Sequence, residues 1–170
     1  HDEVIDESVI AVARAGAGVN NIPVDNFAKN GIVVFNTPGA NANAVKELVA
    51  AALLLGSRNI FSAMNYVQTL GDIGDSAEMH KTLEANKKNF AGSEITGMTL
   101  GVVGLGAIGA LVANMALELG MNVAGYDPAI SVESAWRLSS RVKKVDSLQA
   151  LVGVADFLTL YIPSIPQTRG

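Results

Sequence analysis

Residues 99–109 read Thr99-Leu100-Gly101-Val102-Val103-Gly104-Leu105-Gly106-Ala107-Ile108-Gly109. The stretch up to Val103 has the apolar composition of a buried β-strand, and the three glycines after it are spaced G-x-G-x-x-G. Apolar residues then recur at helical spacing, which predicts a helix that begins near Ala107 and ends before Gly120. Its predicted core face consists of Ile108, Leu111, Val112, Met115, Ala116 and Leu119. A strand, a glycine turn and a helix in this order are typical of an α/β fold with a parallel sheet.

A physical requirement explains why each of these three positions is glycine. Gly104 allows a tight turn, Gly106 lets a phosphate approach the backbone, and Gly109 lets the helix pack closely on the sheet. The next strand is predicted at Asn122–Tyr126, and it delivers Asp127 to the carboxyl end of the sheet. A carboxylate there accepts hydrogen bonds from ribose hydroxyls and repels a 2′-phosphate. The pattern predicts a Rossmann-type site for NAD rather than NADP; the alternative is a glycine-rich turn without a ligand.

The composition is that of a protein with a sizeable apolar core. Of the 170 residues, 49% are hydrophobic and 16% are charged, and the net charge of −4 argues against a nucleic-acid or anionic-membrane partner. With no cysteine there is no disulfide framework or thiolate metal site, and we expect no bound metal. The longest apolar run, Leu48–Gly56, is too short to span a bilayer, so we expect a cytoplasmic protein. Because residue 1 is His and few strands follow Gly97, we also expect a fragment of a longer chain.

The chain before the motif predicts a β-loop-α-β unit and a long helix. The unit consists of a buried strand at Val9–Ala13, a second glycine loop at Arg14–Asn21, a helix at Val24–Lys29 and an all-apolar strand at Ile32–Phe35. A helix from Ala44 to about Arg58, capped by Asn43, is apolar nearly all round, which predicts that it is buried or lies in an interface. A polar excursion from Gln68 to Gly97 follows, with a charged helix near Glu78–Asn86.

The chain after Asp127 predicts two further helices and two further strands. In chain order they are a helix at Ser131–Arg141, a strand at Val142–Val145, a helix at Leu148–Val152 capped by Ser147, and a strand at Asp156–Ile162.

In this order the motifs resemble those of the D-2-hydroxyacid dehydrogenases. The resemblance covers the chain from Val9 onward and is carried by Ala13-Arg14-Ala15-Gly16-Ala17-Gly18-Val19-Asn20-Asn21-Ile22, by the motif at 99–109, and by Gly31–Pro38, Ala44–Val49, Gly92–Gly97, Gly125–Pro128 and Ala155–Thr159. It implies a flavodoxin-like substrate domain and a Rossmann domain with the active site between them. Residues 1–43 are then the C-terminal part of the substrate domain, and residues 44–170 are an NAD-binding domain that is incomplete at its C-terminus.

The resemblance also implies site residues. For the cofactor they are Ala17, Gly104, Gly106, Ala107, Ile108, Gly109, Asp127, Ile162 and Pro163. For the substrate they are Arg14, Gly16, Gly18 and Lys87. The second glycine loop has a simpler alternative as a chain-reversing turn, and Lys87 has one as a solvated helix end. The family's catalytic Arg, Glu and His are expected beyond Gly170, so His1 and His80 are interpreted as solvated surface residues.

Three positions depart from the family pattern. Asn20 stands where Asp is usual, Ala107 where Arg or His is common, and Tyr161 where His is frequent; we assign Tyr161 to packing. The resemblance predicts an NAD-dependent enzyme that oxidises the 2-hydroxy acid 3-phosphoglycerate. It also predicts a homodimer or higher homo-oligomer formed through the helix from Ala44 and the excursion after it. The alternatives are an enzyme for another 2-hydroxy acid and an NAD-sensing regulator with little turnover. The chain alone is expected to lack catalysis.

Overall fold

The computed structural model describes residues 8–163 and residue 168. The chain forms two compact units, one that ends at Val45 and one that begins at Lys46. His1 and the last residues of the chain, on which parts of the sequence interpretation rest, lie outside the described residues.

The first unit is the predicted β-loop-α-β arrangement. It consists of β1 (Ala11–Arg14), α1 (Val24–Lys29) and β2 (Val33–Asn36), and the two strands pair in parallel with Ala11 opposite Val33 and Arg14 opposite Asn36. The prediction of a buried strand at Val9–Ala13 is wrong, because Ile10 is 80% exposed, and Val33 and Phe35 of the second strand are also more than half exposed. One short helix is too small to cover both faces of two strands, so apolar composition alone did not imply burial.

The second unit begins with three helices that precede its sheet. They are α2 (Ala42–Ser57), which starts within the first unit, α3 (Ile60–Gln68) and α4 (Ser76–Asn86), followed by a 3₁₀ turn at Lys87–Phe90. Asn43 therefore lies inside α2 and does not cap it, contrary to the prediction. The break before α3 falls at Asn59, whose φ of +52° is left-handed. The start of α4 is capped by Asp75, whose Oδ1 atom accepts a hydrogen bond from the Glu78 amide.

The segment between α2 and the sheet leaves from Ser57 and returns to it at Gly92 and Ser93. Gly92 has a φ of +63°, and a Cβ atom there would lie 2.4 Å from the Ser57 carbonyl oxygen. The amide of the next residue, Ser93, donates a hydrogen bond of 2.8 Å to that same oxygen. A side chain at position 92 is thus excluded both by the backbone conformation and by space.

The helix α2 is only partly buried, so of its two predicted locations the one in an interface stays a prediction. Leu53 is buried and Val49 packs against the core, whereas Leu48, Leu54 and Leu55 are exposed. Within the described residues, no single helix is long and apolar enough to cross a membrane; α2 and α3 together reach the required length and composition but are bent by 67° to each other.

The sheet of the second unit has four parallel strands. They are β3 (Thr99–Val103), β4 (Asn122–Tyr126), β5 (Lys143–Lys144) and β6 (Phe157–Leu160), in the spatial order β5-β4-β3-β6. The chain moves outward from β3 to β5 and then crosses to the other side of β3. This reversal places a crevice at the carboxyl ends of β3 and β6, which is where doubly wound sheets bind ligands.

Three helices join these strands, namely α5 (Ala107–Glu118), α6 (Val132–Arg137) and α7 (Leu148–Val152). The Ser147 hydroxyl accepts a hydrogen bond from the Ala150 amide, so the predicted cap of α7 is confirmed. The predicted elements at Ser131–Arg141, Val142–Val145 and Asp156–Ile162 are longer than the observed α6, β5 and β6. Ends fray in this way because the last residues of an element lack part of its hydrogen bonding.

The predicted core face of α5 is confirmed for Val112 and Ala116, which are buried, and for Ile108 and Met115, which pack against the core, but it is wrong for the two leucines. Leu111 and Leu119 are exposed, and the buried residues are Gly109, Ala110, Val112, Ala113, Ala116 and Leu117. Most of these are small, and small side chains let a helix lie close to a sheet. The end of α5 agrees with the prediction, because Gly120 has a φ of +81° and the amide of Met121 donates to the Ala116 carbonyl, as in a Schellman motif.

Candidate functional site

The site is built around the turn that leaves β3. Gly104 has a φ of +86°, and a Cβ atom there would lie 3.0 Å from both the Tyr161 carbonyl oxygen and Ile162 Cγ2. The Gly104 amide donates a hydrogen bond of 2.9 Å to the Tyr126 carbonyl of the neighbouring strand. The turn is therefore held between the carboxyl ends of β4 and β6, and only glycine combines this conformation with this contact.

The other two glycines have opposite surroundings. A Cβ atom at Gly109 would lie 1.9 Å from the Gly104 carbonyl oxygen, so this glycine is required by the packing of α5 on the turn. A Cβ atom at Gly106 would have no neighbour within 4 Å. The packing of this unit thus gives no reason for glycine at 106, whereas a ligand close to the backbone would give one.

The beginning of α5 offers hydrogen-bond donors to such a ligand. Gly106 is the N-cap residue, in an extended conformation and without a side-chain cap, and Ala107 and Ile108 begin the helix. The first amides of a helix lack partners within it, and the positive end of the helix dipole lies there. An anion such as a pyrophosphate is the expected ligand of this arrangement.

Asp127 follows β4 and reaches the same turn. Its Oδ2 atom accepts a hydrogen bond of 2.8 Å from the Leu105 amide, and its Oδ1 atom accepts one of 2.9 Å from the Ala129 amide. The Leu105 side chain is itself buried against Gly125 of β4. The carboxylate thus orders the turn, and each oxygen keeps a lone pair for a ribose hydroxyl.

Tyr161 completes the site from β6, and its packing role is confirmed. Its amide donates to the Val103 carbonyl, and its ring packs against the core beside Gly109. The phenol oxygen accepts a hydrogen bond of 2.7 Å from the Thr159 hydroxyl, and burial raises the pKa of Tyr161. The turn and its helix therefore rest on a tyrosine that the sequence pattern did not connect with them.

The second glycine loop follows β1 and is held by the last residue of β2 and the residue after it. Gly16 has a φ of +146°; its amide donates to Thr37 Oγ1 at 2.8 Å, and its carbonyl accepts from the Thr37 amide. Asn36 Nδ2 donates to the Ala17 carbonyl at 2.9 Å. Asn36 and Thr37 are not among the predicted site residues, although polar residues at the carboxyl end of a strand, close to a glycine loop, are a signal for such a role.

Arg14 has an unmatched donor in this loop. It is the last residue of β1, its side chain lies near Gly16, and its Nε atom is buried without a hydrogen-bond partner among the described residues. A Cβ atom at Gly18 would meet nothing within 4 Å. The loop thus combines an available guanidinium donor with open space at a neighbouring glycine.

The structure brings Gly104, Gly109, Asp127 and Ile162 together around the turn, with Pro163 next to Ile162 in the chain. Arg14, Gly16, Ala17 and Gly18 lie together in the first unit. Lys87 lies in the 3₁₀ turn, where its hydrogen bond and charge lower the pKa of Glu84. His80 is an exposed residue of α4. Over residues 8–163, no group of three His, Asp or Glu side chains is gathered as a metal site requires.

Comparison with protein families gives a match over most of the second unit. The family described as "D-isomer specific 2-hydroxyacid dehydrogenase, NAD binding domain" matches residues 60–170. The D-3-phosphoglycerate dehydrogenase of Methanocaldococcus jannaschii is 40% identical over 163 residues, which are 96% of this chain and 28% of that protein. The chain therefore spans little more than a quarter of this relative.

Two solved structures show the same arrangement of elements. The holo form of D-mandelate dehydrogenase from Rhodotorula graminis has a TM-score of 0.71 and 28% identity, over 96% of this chain and 46% of that one. The NAD⁺-bound 3-phosphoglycerate dehydrogenase of Entamoeba histolytica has a TM-score of 0.67 and 29% identity, over 96% of this chain and 43% of that one.

Proposed function

We propose a function from the premise that this chain belongs to the D-isomer-specific 2-hydroxyacid dehydrogenases, whose NAD-binding domain matches residues 60–170. The full-length protein oxidises 3-phosphoglycerate at its C2 hydroxyl to 3-phosphohydroxypyruvate, while NAD is reduced to NADH. The 40% identity to a D-3-phosphoglycerate dehydrogenase supports this substrate. The single observation that carries the cofactor part is the open space at Gly106 beside the uncapped start of α5.

The residues around the turn fit NAD. The pyrophosphate would lie over Gly106 and accept hydrogen bonds from the first amides of α5, and the adenosine ribose would donate to Asp127. Ile162 and Pro163 would line the adenosine side. When bound, NAD supplies the hydride acceptor, and this chain supplies its orientation and electrostatic environment.

The second glycine loop would hold the acidic end of the substrate. Arg14 Nε is a buried donor without a partner, and an anionic oxygen of the substrate would satisfy it. The amides near Gly16, Ala17 and Gly18 would support the same group and the nicotinamide side of the cofactor. Lys87 is a weaker candidate, because Glu84 already neutralises it.

The experiment is a pair of measurements on the full-length protein. Titration with NADH, followed by its fluorescence, tests the cofactor site. NADH production from 3-phosphoglycerate tests the reaction. Arg14→Gln should raise the KM for 3-phosphoglycerate at least tenfold with little change in NADH affinity, whereas Arg58→Gln, at an exposed arginine of the second unit, should change neither. Equal KM values for the two variants would contradict the role of Arg14.

A second candidate is an enzyme for another D-2-hydroxy acid, which the likeness to D-mandelate dehydrogenase favours. Reduction of glyoxylate or another 2-keto acid without oxidation of 3-phosphoglycerate would select it. Binding of NADH with no turnover of any of these acids would instead select an NAD-sensing regulator.

We also propose that the protein is a homodimer or higher homo-oligomer. The support is an exposed apolar surface on α2 and α3, where Leu48 is 70% exposed, Phe61 68% and Met64 59%. Single exposed apolar residues are ordinary, but several on consecutive helices are typical of an interaction surface. Sedimentation of the full-length protein as a monomer at micromolar concentration would contradict this. A cytoplasmic location, without nucleic-acid or membrane partners, stays a prediction from the sequence.

A further inference from the structure

A cavity of about 420 Å³ opens at the amino ends of the strands, on the edge of the sheet opposite the glycine turn. Thr99 and Asn122, the first residues of β3 and β4, lie on its wall. The apolar part of the wall includes Leu117, Met121 and Val154. A cavity of this volume is within the range of small-molecule sites.

Two cationic side chains on this wall lack an anionic partner. They belong to Arg141 and Lys143, and neither takes part in an ion pair within the part of the chain that the structure describes. Lys144, next in the chain, does have one, with Asp146. Successive side chains of a strand point to opposite faces, so Lys143 and Lys144 are a matched pair with different surroundings. In a protein of net charge −4, two uncompensated cations on one cavity wall are a local reversal of charge.

The carboxylate of Asp156, at the same edge of the sheet, already accepts a hydrogen bond from the backbone. Asp156 Oδ2 accepts a hydrogen bond of 2.7 Å from the Thr99 amide, which fixes the start of β3 to the start of β6. That carboxylate is thus engaged with the backbone and not with either cation. An anion from outside the chain would meet Arg141 and Lys143 together.

The cavity is separate from the cofactor site. The five residues of β3 span about 13–17 Å at the usual rise of a strand, and the glycine turn begins only after Val103. A molecule in the cavity would therefore not occupy the place of the pyrophosphate or the ribose.

We propose that this cavity binds a small organic anion, a carboxylate or phosphate ester on an apolar body. The two cations recognise the acidic group, and the side chains of Leu117, Met121 and Val154 contact the apolar body. The site is independent of the proposed reaction, because it uses none of the residues that hold NAD or the substrate.

The test uses phenyl phosphate as the probe, by calorimetric titration of the full-length protein with saturating NADH present. The NADH keeps the glycine turn occupied. We expect one saturable site per chain. K143Q should weaken binding at least fivefold and the double variant R141Q/K143Q at least tenfold, whereas K144Q, which removes one charge as K143Q does, should weaken it less than twofold. Val154→Phe fills the cavity without changing its charge, so it should also weaken binding.

Two results would overturn the proposal. One is the absence of saturable binding in the NADH-bound protein. The other is equal weakening by K143Q and K144Q, which would reflect net charge and not a site. Arg141, Lys143 and Lys144 are all exposed, so we expect their substitution to leave the protein folded. Equal unfolding midpoints among these variants would verify this. Failure to bind NADH would instead concern the proposed function, and it is seen in the first step of the experiment.

Discussion

Replacing Gly106 by alanine adds one methyl group at the place where α5 begins. The Cβ atom would have no neighbour within 4 Å, and the residue has a negative φ of −68° with a ψ of −159°, close to the extended region that alanine adopts. We therefore expect the free energy of unfolding to change by less than about 1 kcal/mol. NADH binding should weaken, because the methyl group displaces the pyrophosphate from the helix amides. Loss of one charge-assisted hydrogen bond, about 1.5–3 kcal/mol, corresponds to a weakening of about 10- to 150-fold.

Gly109→Ala, three residues further on, is the contrasting variant. Its Cβ atom would lie 1.9 Å from the Gly104 carbonyl oxygen, and the backbone must move to make room. Overpacking of this kind costs about 1–3 kcal/mol or more, so this variant should lose stability even without a cofactor. Urea denaturation without NADH and fluorescence titration with NADH separate the two effects. The reasoning is refuted if Gly106→Ala binds NADH within twofold of the unchanged protein, or if it is destabilised as much as Gly109→Ala.

Three further outcomes follow from the structure. Asp127→Ala removes the partner of the buried Leu105 amide, so the free energy of unfolding without NADH should fall by about 1–3 kcal/mol; an unchanged urea midpoint would contradict this. Burial raises the pKa of Tyr161 above 10.0, so its contribution to stability is fully present below pH 10 and is lost as the pH rises through the folded-state value. Unfolding midpoints of the protein and of Tyr161→Phe should therefore diverge in their pH dependence only in the alkaline range, and divergence near neutral pH would exclude this cause. Leu151→Ala, at a fully buried position, should cost about 2–5 kcal/mol by chemical denaturation, whereas Leu148→Ala, at a position 45% exposed, should cost clearly less; equal losses would contradict the core.

The glycine motif could be predicted because its information is local. A strand, three glycines and a helix follow one another within eleven residues, and the surroundings of Gly104 and Gly109 each require a glycine. The end of α5 at Gly120 was predictable for the same reason, since a left-handed residue after a helix is a local matter. The position of Asp127 was predictable because it directly follows a strand.

The features that could not be predicted from the sequence depend on contacts between distant parts of the chain. The buried face of α5 is set by how closely the sheet approaches, and this favours Ala113 over Leu111 although leucine is more apolar. The support of the second glycine loop comes from Asn36 and Thr37, about twenty residues away. Tyr161 reaches the turn through strand pairing, which periodicity along one strand does not reveal.

The hydrogen bond between the Ser93 amide and the Ser57 carbonyl closes the segment between them into a loop whose two ends are adjacent. The chain leaves α2, forms α3, α4 and the 3₁₀ turn, and returns to within one hydrogen bond of its point of departure. The segment of more than thirty residues between Ser57 and Ser93 therefore adds almost no distance between the end of α2 and the approach to the sheet. We therefore expect insertions and deletions between these two serines to leave the start of β3 in place, and the exposed apolar surface of α3 to diverge while the glycine turn stays the same.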